Sequence, residues 1–412
     1  MDRGEFKLKE AAAHSAAESR YLETSSLQAK LGSLLFLTTI FFTNFFSRIV
    51  PSPLMPTIEK NLELNHSEAG SLFLVIAAGY FVALTGSGFV SSRITHRKTI
   101  ILSATTLGLA YLATSMSNSM MEMSAGLLAV GMASGLYLPS GIATLTSLVS
   151  YQHWGKAIAV HELAPNLAFV LAPLVAELFL QWFSWRAVLA MVGLSSLSIG
   201  ITFAFFGRGG EFPGEAPALR SLRLLCQERD LWIMIGLFSL GIAGTMGVYA
   251  MLPLYLVSER GIDQAWTNSV VAVSRIIPLF MGLLSGWVAD RFGTTRTIKY
   301  VLILTGTMTI LLGIVPGWWV VVIVFLQPML AVCFFPAALA ALSAIGPANA
   351  RNVVISFTIP LSFLVGAGAI PTVIGLAGSA GSFAMGIALT GTLMTAGAAL
   401  TRYLEPPQQG ER

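Results

Sequence analysis

The sequence predicts an all-α membrane protein with twelve transmembrane helices in two pseudo-symmetric six-helix halves. Its 412 residues are 55% hydrophobic and only 11% charged, whereas a typical soluble domain has roughly 25% charged residues. Apolar stretches near the length needed to cross a bilayer, about 20 residues, recur along the chain. Prolines and glycines also recur at a nearly constant offset, since Pro56 and Pro253 are 197 residues apart and Gly88 and Gly286 are 198 apart. This repeat indicates a duplicated unit.

The chain begins with a polar tail, residues 1–30, that carries both charge signs and has no apolar run before the first long span. It therefore lacks the pattern of a secretory signal peptide. Charged and Gly/Pro-rich positions then divide the apolar sequence into helices, with centres near residues 42, 78, 108, 135, 168, 196, 243, 277, 305, 330, 364 and 391. The first six form a half at 31–206, the last six form a half at 231–403, and residues 404–412 form a second tail. An even number of spans places both tails on one side.

The two halves are joined by the longest polar interruption, "GRGGEFPGEAPALRSLRLLCQERD" at residues 207–230, which is typical of a linker. Of the 24 Lys and Arg residues, two lie within spans and only three lie in outside segments, namely Lys60, Arg186 and Arg260. All the others fall in the tails, the linker and the loops on the same side as these. The positive-inside rule therefore predicts that both tails and the linker are cytoplasmic.

The loop between helices eight and nine reads "GWVADRFGTTR" from Gly286. This loop resembles the signature loop of the major facilitator superfamily, and helix count and linker position extend the resemblance over essentially the whole chain. The resemblance implies the fold of that superfamily and a gate-forming role for the loop. Asp290 and Arg291 would latch the cytoplasmic gate, with Asp290 near Lys156 at the start of helix five. Three further residues complete the motif, namely Gly286, Gly293 and Arg296.

The first half contains a degraded copy of this loop, "GFVSSRITHRK". Ser92 stands where the aspartate belongs, and Thr95 stands where the second glycine belongs. The copy retains Gly88, Arg93 and Arg97. We hypothesise an asymmetric gate that is latched mainly through Asp290. The alternative is drift, with the cations kept only for membrane orientation.

Arg48 lies inside the predicted first span, where a charge is expensive and usually functional. This part of helix one is similar to that of the organic-anion and organophosphate carriers of the superfamily, in which an arginine engages the anionic group of the substrate. The resemblance implies the same role for Arg48, and Asn44 shares its helical face. A guanidinium binds carboxylate or phosphate through two parallel hydrogen bonds. The symmetric position in helix seven is Thr245, so the second arginine of the organophosphate carriers is absent and a carboxylate is favoured.

Arg275 is the second cation within a span. It either contacts substrate or forms a structural ion pair with Glu162 or Glu177 of helix five, and we favour the ion pair. His161 and Glu162 near the cytoplasmic end of helix five are either a proton relay or part of the gate. Other polar residues are candidates for the cavity lining, although each is also a common buried residue of helical bundles, namely Tyr137, Asn166, Tyr249 and Gln327.

The sequence contains no zinc-protease, Walker or nucleophile-elbow motif, so we expect a transporter and not an enzyme, without cofactor or metal. The leading hypothesis is a proton-coupled carrier, a symporter, of a small organic anion that works by alternating access. Its partners would be that solute, a proton and the lipid bilayer, with no nucleic acid, and the protein would be a monomer in a bacterial inner membrane. The alternatives are an efflux carrier of amphipathic compounds and a non-transporting receptor or scaffold.

Overall fold

The computed structural model describes residues 27–216, 227–343, 345 and 351–404, and these ranges contain helices and no β-strand. The predicted all-α class is confirmed. Parts of the predicted tails and linker, residues 1–26, 217–226 and 405–412, lie outside the described residues. The sixth helix ends at Phe206 and the seventh begins at Arg229, which places the linker between them.

The helices of the first half follow the predicted centres. In chain order they are α1 (Leu27–Ile49 and Pro51–Leu62), α2 (His66–Ile94), α3 (His96–Thr114), α4 (Met120–Gly135 and Tyr137–Leu148), α5 (Trp154–His161 and Leu163–Leu180) and α6 (Trp185–Phe206). Asn65 begins α2 with a capping box, because its side chain accepts from Glu68 N at 2.9 Å while the Glu68 carboxylate accepts from Asn65 N at 2.8 Å.

The second half repeats this order. Its helices are α7 (Arg229–Ile242, a π-helical turn Ala243–Gly247, and Val248–Ser258), α8 (Gln264–Ser274 and Pro278–Phe292), α9 (Thr294–Ile314), α10 (Trp319–Ala331 and Phe334–Ser343), α11 (Arg351–Phe363, a π-helical turn Leu364–Ala369, and Ile370–Ser379) and α12 (Phe383–Gly397 with a 3₁₀ turn Ala398–Tyr403).

Ten of the described helices are long and apolar enough to span a membrane, and the count rises to eleven when the bent α8 is taken as one span. The predicted number of twelve is therefore confirmed only in part. The helix that falls short is α3, whose first turn is His96, Arg97 and Lys98. These basic residues lower the mean hydropathy of a helix that is only 19 residues long.

Helix breaks occur at equivalent places in the two halves. Helix α1 is interrupted at Val50 and α7 contains its π-helical turn at Ala243–Gly247, while α4 is interrupted at Leu136 and α10 at Val332 and Cys333. The same offset of 197 residues relates Leu136 to Cys333. Breaks of this kind free backbone carbonyls from their helical partners. They therefore supply hydrogen-bond acceptors in the middle of the bundle.

The two halves contact each other on the side of the bundle opposite the linker. Ser52 Oγ donates to Tyr249 O at 2.8 Å, and Gln264 Nε2 donates to Pro53 O at 3.3 Å. At the ends of α2 and α11, Ser67 N donates to Ser379 Oγ at 2.8 Å. The structure therefore shows a conformation in which the halves are closed together on the opposite side.

Glycines allow α2 and α11 to approach closely on that side. A Cβ atom added to Gly70 would lie 2.7 Å from Pro371 O and 3.2 Å from Gly375 Cα, and one added to Gly375 would overlap His66 O. Thr372 Oγ1 also donates to Gly70 O at 3.3 Å. Since the neighbouring atoms belong to the backbone, a larger residue cannot be accommodated by a side-chain rotation. We call this contact the α2–α11 seam.

Candidate functional site

Arg48 lies near the middle of α1, just before the break at Val50, and its side chain reaches the interface between the halves. It is only 6% exposed. Its guanidinium carbon lies 4.2 Å from the ring centroid of Tyr80, 4.7 Å from that of Phe45 and 5.6 Å from that of Phe363. Tyr80 belongs to α2 and Phe363 to α11. Aromatic rings from both halves therefore enclose the cation, and such contacts contribute about 0.5–2 kcal/mol each.

The positive charge of Arg48 has no acidic partner among the described residues. Its Nε and Nη1 atoms are buried without a hydrogen-bond acceptor, and the ion pairs of the described part of the chain do not include it. Aromatic faces attract the charge but do not accept these N–H hydrogens in a normal hydrogen bond. A buried charge without partners is destabilising by several kcal/mol. Nε and Nη1 of the guanidinium therefore remain without an acceptor, and an anionic oxygen would satisfy either nitrogen.

A cavity of about 30 Å³ adjoins Arg48, which is enough space for a water molecule. Residues of α1, α2, α7 and α11 line it, and most of them are apolar or aromatic, including Ile76, Tyr80, Met246, Tyr249 and Phe363, together with the polar Ser52. Because both halves contribute to the lining, the volume of the cavity depends on how the halves are arranged.

Arg275 lies at the break of α8 and is also 6% exposed. Its Nη1 donates to Thr245 O in the π-helical turn of α7 at 3.4 Å. Its guanidinium carbon lies 4.7 Å from the Tyr249 ring centroid and 5.0 Å from the Phe169 ring centroid. Its Nε atom is buried without an acceptor. Arg275 therefore resembles Arg48, since both are buried cations held by aromatic rings.

The ion pair that we favoured for Arg275 is not formed, so that prediction is wrong for this conformation. Glu177 accepts a hydrogen bond from Asn268 Nδ2 at 3.2 Å, and Glu162 lies 3.5 Å from His161 Nδ1. Helices α5 and α8 do lie side by side, as expected. However, the side chain of Arg275 points toward α7 and Phe169, whereas the two carboxylates lie nearer the two ends of α5.

The two cationic clusters are joined by aromatic contacts. Phe45, which packs on Arg48, lies 5.5 Å from Phe169, and Phe169 lies 5.0 Å from Tyr249. Tyr249 in turn contacts Arg275 and lines the cavity beside Arg48. One continuous cluster therefore holds both arginines at the interface between the halves.

Sequence reasoning missed most of this cluster. Phe45 precedes Arg48 by three residues, a helical spacing that could have indicated a contact. Tyr80, Phe169 and Phe363 come from three other helices. Nothing in the local sequence distinguishes them from the many other aromatic residues of the chain.

Two predicted cavity residues serve instead as ties between helices. Asn44 Nδ2 donates to Ser134 O of α4 at 3.0 Å, and Gln327 Nε2 donates to Gly244 O of α7 at 2.8 Å. Both acceptors lie at or near helix breaks. Neither Asn44 nor Gln327 lines the cavity beside Arg48. Asn44 and Arg48 lie on the same face of α1 but have different partners. The shorter Asn44 side chain bonds to α4, whereas the longer Arg48 side chain reaches the cavity between the halves.

Tyr137, the third predicted cavity residue, lies in a buried network with His161. Its hydroxyl donates to Leu37 O at 2.8 Å, so the 3.1 Å contact with His161 Nε2 requires Nε2–H to donate to the tyrosine oxygen. The imidazole also stacks on Phe41, with the ring centroids 4.2 Å apart. In neutral His161, Nδ1 then carries the free lone pair.

This Nδ1 atom is buried without a hydrogen-bond partner and lies 3.5 Å from Glu162 Oε1. His161 is fully buried, while the Glu162 side chain is 50% exposed. Asn166, one turn later, donates from Nδ2 to Glu162 O at 2.9 Å and is not part of the aromatic cluster. The pair therefore joins a buried ring nitrogen without a hydrogen-bond partner to a carboxylate that is half exposed at the surface of the protein.

The second signature loop forms no ion pair with the first half among the described residues. Asp290 is exposed, and among the described residues neither it nor Lys156 takes part in an ion pair. Arg291 packs on Trp287, 5.6 Å from its ring centroid, and Arg296 is exposed. The latch expected between Asp290 and the start of α5 is thus not formed while the halves are closed on the opposite side. Cβ atoms added to Gly286 or Gly293 would meet no atom within 4 Å.

The first loop differs, because it is occupied by other parts of the chain. Ser92 Oγ donates to Phe89 O within its own helix at 3.0 Å. Arg97 pairs with Glu211 of the linker at 2.6 Å. Gly88 and Arg93 lie within α2. Position 92, where the motif has an aspartate, therefore carries a serine that bonds only within its own helix.

Comparison with solved structures shows the fold. The chain is similar to a bacterial homolog of the human lysosomal transporter Spinster, captured in an inward-facing and occupied conformation, with a TM-score of 0.80, 15% identity, and coverage of 92% of this chain and 97% of that chain. It is also similar to a D-xylose-proton symporter, with a TM-score of 0.72, 16% identity, and coverage of 92% and 99%.

Two curated proteins named probable multidrug-efflux transporters, both of Mycobacterium tuberculosis, are 28% identical to this chain over 245 residues. The match covers 59% of this chain and 48% of each relative, so the chain matches about half the length of these relatives. A family model described as Major Facilitator Superfamily matches residues 37–371. The protein is a multi-pass membrane protein, and its chain belongs to the Major Facilitator Superfamily.

Proposed function

We propose that the protein is a proton-coupled carrier of a small organic anion, and that Arg48 binds the anionic group during alternating access. One observation carries this proposal: Arg48 is buried between aromatic rings of both halves, and two of its nitrogens have no acceptor, acidic or otherwise, among the described residues. The site lies where a rocking transporter of this class binds its solute.

The physical argument starts from the free energy of the empty site. A buried guanidinium without an anion is destabilising by several kcal/mol, and removing a partner from a buried charge typically costs about 3–5 kcal/mol. A carboxylate in the cavity would accept a charge-assisted hydrogen bond from Nε or Nη1, the two nitrogens that have no acceptor. The neighbouring rings of Tyr80 and Phe363 belong to different halves. An anion on Arg48 can thus alter the contact between the halves.

A carboxylate is favoured over a phosphate group by the residue at the symmetric position of α7. Thr245 stands there in place of a second arginine, and its hydroxyl donates to Gly241 O at 3.1 Å. Arg275 supplies a nearby cation from another helix, but its Nη1 is already engaged with Thr245 O. The site therefore offers two guanidinium nitrogens of Arg48, Nε and Nη1, that have no acceptor.

His161 is our candidate for the coupling proton. Its Nδ1 has a free lone pair beside Glu162, and protonation there would create a close pair of opposite charges. The fold similarity to a proton symporter agrees with coupling of this kind. The alternative that this pair belongs to the gate stays open, since Glu162 is exposed near the same end of α5.

The positive-inside rule assigns the linker side to the cytoplasm, so the structure would represent a state closed to the outside. The organism of the curated relatives supports a bacterial inner membrane. We propose that the protein acts there as a monomer.

A second candidate function is the efflux of amphipathic compounds. It is supported by the two matched relatives named as multidrug-efflux transporters and by the largely apolar lining of the cavity. In that function, Arg48 would be held by its aromatic rings and would not be needed for the solute.

The test is uptake of radiolabelled carboxylates, with organophosphates for comparison, into proteoliposomes with and without an inward proton gradient. Arg48→Lys retains the charge but removes bidentate geometry, and Arg402→Lys provides a matched change at an exposed site. We expect gradient-driven carboxylate uptake that falls at least about tenfold in Arg48→Lys, the loss of one hydrogen bond to a charged group, and not in Arg402→Lys. Uptake that is equal in both variants, or no anion uptake at all, would refute the anion proposal and favour efflux.

A further inference from the structure

The first signature loop pairs with the beginning of the linker through the main chain. His96 N donates to Phe212 O at 3.1 Å, and Arg97 N donates to Gly210 O at 2.7 Å. Gly214 N donates back to Ser91 O at 3.0 Å. Three backbone hydrogen bonds over five linker residues hold this segment in one register. They also satisfy amides at the start of α3 that have no partner within their own helix.

Side chains reinforce the same contact. Arg97 Nη1 lies 2.6 Å from Glu211 Oε1, and its Nη2 donates to Ala204 O of α6 at 3.0 Å. The Phe212 ring packs on His96, with the ring centroids 4.9 Å apart. The His96 ring is held from its other side by Ser140 Oγ of α4, 3.1 Å from Nδ1. Through Arg97 and His96, the docked linker segment is therefore connected to α4 and α6 as well as to α2 and α3.

The glycines of the linker match the shape of this surface. Gly210 has a φ of +75°, a conformation that glycine adopts at little cost. A Cβ atom on Gly214 would overlap Ser91 Oγ. The glycine-rich sequence "GRGGEFPG" is thus required by a close docked contact, and not only by the need for a flexible connection.

We propose that the first signature loop is an anchor for the interdomain linker, which keeps residues 209–214 bound to the first half throughout the transport cycle. The second loop alone would act as the moving latch. All the groups that hold the segment belong to α2, α3, α4 and α6 of one half. A rocking motion of the two halves does not separate them, so the anchor does not oppose that motion.

The two loops differ as this proposal requires. Asp290 of the second loop is exposed and without an ion pair among the described residues, and is therefore free to engage the other half. Arg97 of the first loop already has a carboxylate partner, Glu211. Ser92 bonds only within its own helix, to Phe89 O, so the first loop has no carboxylate of its own at that position.

The first experiment measures amide hydrogen exchange of the peptide that contains residues 209–215. The test variant is Gly214→Val, which places a branched side chain against Ser91. The control is Gly155→Val, because an added Cβ there meets nothing within 4 Å. Overpacking costs about 1–3 kcal/mol. We therefore expect the amides of this peptide to exchange roughly 5- to 150-fold faster in Gly214→Val than in the wild type. Equal exchange in Gly214→Val and wild type would show that the docked segment does not form.

The second experiment asks whether the anchor must release. Ser91→Cys and Gly214→Cys are combined after Cys226 and Cys333 are replaced by serine and alanine, and the disulfide is formed and confirmed by mass spectrometry. Exchange of peptides from the α2–α11 seam then reports how often the halves separate. We expect less than about a twofold difference between the oxidised and reduced protein. Seam exchange that is slowed several-fold by oxidation would overturn the proposal.

Discussion

Replacing Gly70 by alanine places one methyl group in the α2–α11 seam. The new Cβ would lie 2.7 Å from Pro371 O and 3.2 Å from the Cα atoms of Thr372 and Gly375. These are backbone atoms of α11, so the contact can be relieved only by moving the two helices apart. Overpacking of this kind costs about 1–3 kcal/mol. The cost exists only while the halves are closed on the side opposite the linker.

The predicted result is a shift of the conformational equilibrium. A differential cost of about 1–3 kcal/mol raises the population that is open on the opposite side by roughly 5- to 150-fold relative to the closed one. Alanine also stabilises a helix relative to glycine by up to about 1 kcal/mol. Because α2 is helical in both conformations, this gain does not change the equilibrium between them.

Spin labels at Lys60 and Ala380, both exposed on the opposite side, measure the shift as a distance distribution in a cysteine-free protein. Gly86→Ala on the same helix is the control, because an added Cβ there meets no atom within 4 Å. We expect a longer-distance population in Gly70→Ala and none in Gly86→Ala. Unchanged distances in Gly70→Ala, or the same change in both variants, would refute the argument that this seam closes the protein.

Three further predictions follow from single contacts. Asn65→Ala removes the cap of α2 and should lower the free energy of unfolding in detergent by about 1 kcal/mol, whereas Asn65→Asp, which keeps an acceptor, should not. His161→Gln removes the basic Nδ1 and should abolish the dependence of anion uptake on a proton gradient; retained dependence would assign His161 to the gate. Asp290→Asn should leave the distances on the opposite side unchanged, because Asp290 forms no ion pair among the described residues in this conformation. The same variant should reduce closure on the linker side, measured between labels at the exposed residues Gln152 and Tyr300.

Several features of the protein could be predicted from the sequence because they depend on periodic or local signals. The apolar runs predicted the positions of the helices, because a helix that spans a bilayer needs about 20 mainly apolar residues. The repeat of prolines and glycines predicted the two halves, and the helix breaks at Leu136 and Cys333 reproduce it. The loop at Asp290 identified the family, as the family match then confirmed. Only α3 fell short as a span, because its charged first turn leaves a short apolar core.

The sequence by itself determined that Arg48 and Arg275 lie within the bundle, because charges in apolar runs are visible without a structure. Only the tertiary structure decided what surrounds them. The rings of Tyr80 and Phe363 come from distant helices, and the carboxylates of α5 turned out to lie away from Arg275. The docking of the linker on the first loop was equally invisible. The reason is that the pattern of one helix specifies which face is buried, whereas the partner of a side chain on that face depends on how neighbouring helices are placed and rotated against it.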